Sequence, residues 1–159
     1  MSKTLCSLII LISSYSMASN NLNIQVIDDL NIQAINAVDN AYKISKCMID
    51  LEIAGIHGSK EYMNLYNKFH NEINYYMDVY SKDKEIYQNA YLSDIPMRWR
   101  IAIDANKLPV DILIGRLLEI TSDMEMRYVG DVFARNRTII PESAGLDAYN
   151  TARCFLFTK

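Results

Sequence analysis

An all-α fold is predicted: a compact bundle of four to six helices behind an N-terminal signal peptide, held by one disulfide. Three observations point there. Apolar residues recur three or four positions apart over long stretches, the period of one helix face. Glycine and proline number only five and three in 159 residues, as suits helices joined by short turns. No two segments alternate apolar and polar residues in a way that would pair as strands, and an unpaired strand is not stable.

The first element is an export signal. Met1-Ser2-Lys3-Thr4 carries one base and no acid, residues 5–12 form an apolar run, and Ser16-Met17-Ala18 ends on a small-x-small pattern. That order is the one secretion requires. It divides the chain into a signal peptide, residues 1–18, cleaved after Ala18, and a single helical domain, residues 19–159. A membrane anchor needs about 20 apolar residues, and serine interrupts this run from Ser13. No stable membrane insertion is therefore expected after cleavage, and the expected location is periplasmic or secreted.

Cysteine usage follows from that location. Cys6 leaves with the signal, so the domain keeps Cys47 and Cys154. An even count in an oxidising compartment predicts a bridge. Closing a loop of about 100 residues stabilises by about 4–5 kcal/mol in the chain-entropy model.

The helices follow in order. From about Asn31, Ile35, Val38, Tyr42, Ser45 and Met48 share a face that Ala34, Ala41 and Leu51 widen, and Gly55-Ile56-His57-Gly58 reads as its C-cap and turn. Ser59 is suited to cap a second helix. Its stripe is Tyr62, Tyr66, Phe69, Ile73, Tyr76 or Met77, and Tyr80, with a break at residues 81–84 or a continuation to Tyr91. Pro96 marks the next boundary. Residues 97–104 alternate like a strand, but the lack of a partner favours a short helix with Pro96 at its first position. After Pro109, Leu113, Leu117, Ile120, Met124 and Tyr128 define a long helix, widened by Ile114, Leu118 and Phe133, to about Arg135. Pro141 opens a last short helix carrying Tyr149, Ala152 and Cys154, with Phe155, Leu156 and Phe157 expected to pack near the end of the first helix.

Charge narrows the function classes. After removal of the signal, 15 bases stand against 19 acids, a net charge of −4, which argues against nucleic-acid binding. The acids are concentrated early: residues 19–94 hold 11 acids and 6 lysines, whereas all seven arginines lie in residues 95–159. Such polarity orients a partner.

The chemistry-bearing residues are few. His57 lies in a glycine-flanked turn and His70 in mid-helix, and neither has metal-ligand spacing to a second histidine or a cysteine. Phosphate loops, glycine fingerprints and nucleophile elbows are absent from the sequence. The acid pairs Asp28-Asp29, Asp50 with Glu52, and Glu119 with Asp123 read as solvated helix faces. No metal or cofactor is expected, and an enzyme is the weaker expectation.

Tyrosine density is the remaining feature. Seven tyrosines fall between residues 62 and 91, and tyrosine offers contact area and a hydroxyl at low entropic cost. Most belong to the core stripe; Tyr75, Tyr87 and Tyr91 fall off it and are candidates for a partner-binding face. The expectation is a small exported protein-binding domain whose partner is another protein, such as an inhibitor or immunity protein of the cell envelope. The alternatives are an accessory component of an envelope secretion, conjugation or phage-exclusion system, and a hydrolase using one of the histidines.

Overall fold

A computed structural model describes residues 29–82, 95–104, 109–135 and 140–158. The signal segment, residues 1–18, lies outside the described residues, as do Tyr87 and Tyr91. The chain divides into two units, Met1–Gln33 and Ala34–Lys159, and the core lies in the second. Every described element is helical, and no strand occurs among the described residues.

Helix α1 covers residues 29–53. Ala34, Val38, Ala41, Ile44, Met48 and Leu51 are buried along it. Its end satisfies the last carbonyls by a Schellman pattern: the Ile56 N–H donates to Leu51 O at 2.8 Å and the Gly55 N–H to Glu52 O at 3.0 Å. Gly55 supplies the left-handed φ of 73° that this turn needs.

Helix α2, Lys60–Lys82, starts as expected, with the Tyr62 N–H donating to Ser59 Oγ at 3.1 Å. Its buried line is Leu65, Phe69, Ile73 and Tyr76. Tyr62, Tyr66 and Tyr80 flank this line, half-buried. The hydroxyls explain the offset: Tyr62 donates to Glu52 and Tyr80 to Asp104, so the rings pack while their polar ends stay outside.

Helix α3, Met97–Asp104, settles the ambiguous segment as helical. Pro96 stands one position earlier than expected, at the N-cap, where its carbonyl accepts from the N–H groups of Trp99 and Arg100. Trp99, Ala102 and Ile103 are buried, a helical spacing that overrides the alternation.

Helix α4, Val110–Arg135, packs against both α2 and α3. Leu113, Ile114, Leu117 and Ile120 are buried as expected, but Tyr128 is 60 % exposed. The buried face runs on instead through Thr121, Glu125 and Val129, four residues apart. The side chain of Phe133 lies outside the described residues.

Helix α5, Pro141–Thr151, opens with proline in its first turn behind an extended Ile140. A left-handed Arg153 leads into a 3-10 turn, Cys154–Leu156. Phe157 packs against the core, but Phe155 and Leu156 are exposed. Three consecutive residues on so tight a turn cannot share one face.

The centre of the core is Trp99. Its ring meets Tyr42 and Phe69 edge-on, at 5.2 and 6.2 Å between centroids. Its indole N–H donates to Thr121 Oγ1 at 3.0 Å, and that oxygen lies 3.1 Å from Ser45 Oγ. Cys47 and Cys154, both buried, form the expected disulfide, with Cα atoms 5.6 Å apart.

Candidate functional site

The spacing of four along α1 places Tyr42, Lys46 and Asp50 on one side of that helix. Met124, Glu125, Tyr128 and Val129 of α4 face them, and Ala144, Asp147 and Ala148 of α5 close a third side. The result is an open groove of about 520 Å³. Two features set its depth. A Cβ on Gly145 would stand 2.6 Å from the Asp50 carbonyl oxygen and 2.8 Å from the Ala54 nitrogen, so only glycine lets α5 approach α1 this closely. Beside it, Ile49, Ile53 and Val129 form a small apolar cluster with Ala144 packed on it.

The groove holds three carboxylates and one ammonium. Lys46 Nζ lies 3.2 Å from Glu125 Oε1 and 6.0 Å from the Tyr42 ring centroid. Burial alone would lower the Lys46 pKa, but Glu125, with Tyr42 and Asp50 adding, outweighs it and the net shift is upward. Burial also raises the Tyr42 hydroxyl, with Glu125 adding and Lys46 opposing. Asp50 is only 2 % exposed, and its Oδ1 has no hydrogen-bond partner. Burial, reinforced by Glu125 and opposed by Lys46, pushes its carboxyl up to about 7.

Asp50 corrects the reading of the acid pairs as solvated faces. Its sequence neighbours Met48, Ile49 and Leu51 are all buried, and an acid inside so apolar a run was the available signal. The other acids behave as expected: exposed Glu119 pairs with Arg116 at 2.7 Å and exposed Asp123 with Arg98 at 3.5 Å. Glu52 accepts from the Tyr62 hydroxyl.

Of the proposed tyrosine face, the described residues contain Tyr75, which is 37 % exposed on α2. His57 is exposed in its turn. His70 Nε2 lies 3.3 Å from Asp111 Oδ1, and the Asn74 amide donates to Nδ1 at 2.7 Å; that bond leaves the ring proton on Nε2, facing the carboxylate. Among the described residues no cluster of three histidines, cysteines or acids could hold a metal ion, and no helix is long and apolar enough to cross a membrane.

No protein-family model, curated protein or solved structure matches the chain. The groove's own geometry carries the functional argument.

Proposed function

We propose that the chain is an exported helical domain that binds another protein, and that the α1–α4–α5 groove receives a segment of that partner. The groove itself carries the reading. Its walls are mainly apolar, exposed Tyr128 stands on its α4 side, and three carboxylates oppose a single lysine. Apolar walls with a few placed polar groups are the make-up of a binding site, and the excess of acid favours a partner segment with basic character. The buried disulfide supports an oxidising compartment. An inhibitor or immunity protein of the envelope is the concrete form this takes.

Photo-cross-linking tests the reading. A benzoylphenylalanine replaces Tyr128 in the groove, or Tyr75 on α2, in the full chain produced in its native cell. The expected result is one protein cross-linked from position 128, competed away by unlabelled chain and absent from position 75. Cross-linking confined to position 75 would move the docking face to α2, and no competable product from either position would overturn protein binding.

A further inference from the structure

The groove contains one acid with a buried oxygen to which no protein group donates. Asp50 is buried at the contact of α1 with α5, and its Oδ1 lacks a hydrogen-bond partner. An ionised carboxylate held out of water without a partner is strongly disfavoured. The one base lining the groove, Lys46, relieves it only in part: it attracts the carboxylate but donates no hydrogen bond to Oδ1, and its ammonium lies 3.2 Å from Glu125. The site is therefore short of one positive charge whenever Asp50 is ionised. The walls specify the carrier of that charge: Met124, Val129 and Ala148 are apolar and suit a methylene stem rather than a bare ion. A long apolar stem ending in a cationic head describes lysine or arginine.

We infer that Asp50 is the specificity residue of the groove, the counter-charge for one arginine or lysine side chain of the partner segment. This rests on the docking role proposed above and names its chemistry. The guanidinium or ammonium head donates to the unsatisfied Oδ1 while its stem lies along Met124 and Val129. A charge-assisted hydrogen bond in so buried a place is stronger than one at the surface. Binding the cation stabilises the ionised carboxylate, so the cation and the Asp50 proton compete. The other ionisable groups facing Asp50 are Tyr42 and Lys46 from α1, Glu125 and Tyr128 from α4, and Asp147 from α5. Asp147 is exposed and adds attraction at the rim.

The test uses n-butylguanidinium and n-butylammonium as probes of the cationic side chains and n-butanol as their neutral counterpart. Amide resonances of the isotope-labelled full chain are followed at about pH 5.5 and about pH 8. Both cations are expected to perturb residues around Asp50, Glu125 and Gly145, and to bind at least about tenfold more tightly at the higher pH. They should also lower the apparent pKa of the Asp50 carboxyl carbon in the unmutated chain, a readout that needs no variant. Asp50→Asn should abolish the pH dependence and weaken the preference for cations to what the rim charge of Asp147 leaves. If n-butanol and the cations perturb the groove alike, and Asp50→Asn changes nothing, the role of Asp50 is overturned while an apolar docking groove stands. If none of the three probes perturbs the groove, both the role of Asp50 and the docking reading are overturned.

Discussion

Gly145 of α5 rests directly on the backbone of α1 at Asp50: a Cβ there would lie 2.6 Å from the Asp50 carbonyl oxygen. The atoms in the way are main-chain atoms, so no flexible side chain can yield. Gly145→Ala should therefore destabilise by about 1–3 kcal/mol, the usual cost of overpacking, even though alanine is the better helix former. Urea unfolding should show a lower midpoint with an unchanged m-value. A midpoint equal to that of the unmutated chain would mean that α5 does not pack on α1 at this glycine.

The bridge between Cys47 and Cys154 spans 107 residues of sequence. Opening it frees the unfolded chain and should cost about 4–5 kcal/mol in the chain-entropy model. The Cys47→Ala, Cys154→Ala double variant, compared with the oxidised protein in urea, gives the number. Mass spectrometry of the oxidised chain should show a mass lower by two hydrogen atoms than that of the reduced chain.

Asp50 makes stability depend on pH in an unusual direction for an acid. Its folded pKa is raised to about 7 from an ordinary 3.8, so the folded state holds a proton that the unfolded chain gives up. The stability associated with that proton is complete below about pH 4 and is lost as pH rises through about 7. The difference corresponds to about 4 kcal/mol as an upper bound. Asp50→Asn imitates the protonated side chain. It should match the unmutated protein at or below about pH 4 and exceed it by about 2–4 kcal/mol at pH 8, as urea midpoints at the two pH values will show.

The helices were legible because apolar periodicity is a direct consequence of burying one face. Val38, Met48, Phe69, Leu113 and Leu117 all lie on predicted stripes and are all buried. The caps were legible for the same local reason: Ser59 and Gly55 act within one turn of their own positions. The bridge between Cys47 and Cys154 was legible because the two cysteines outside the expected signal segment allow one pairing. The groove was not. The part of α4 that lines it carries Met124, Glu125, Tyr128 and Val129, and a buried glutamate beside an exposed tyrosine hides that face from any reading of hydrophobicity. Likewise, the contact of Gly145 with α1 lies about 95 residues away along the chain, and no local rule reports a close approach of that kind. Tyr75 drew attention because tyrosine is common at interfaces, a tendency that carries no information about where a surface is concave.

The core network around Thr121 gives a test with a built-in reporter, since Trp99 is the one tryptophan in the chain. Thr121 Oγ1 accepts from the Trp99 indole, lies 3.1 Å from Ser45 Oγ and sits 2.9 Å from the Leu117 carbonyl. Ser45 Oγ in turn lies 2.7 Å from the Tyr42 carbonyl. The two hydroxyls have two protons for three contacts, so one contact is always unmade. Thr121→Val keeps the shape but leaves the buried indole N–H without its acceptor, a loss of about 1–3 kcal/mol. Thr121→Ser should recover most of the loss that belongs to the hydrogen bond. Ser45→Ala should cost less than Thr121→Val, because Thr121 then donates to Leu117 without competition. A shift of tryptophan emission in Thr121→Val, but not in Ser45→Ala, ties the loss to the indole itself; equal unfolding midpoints for all three variants would show that the network adds nothing to stability.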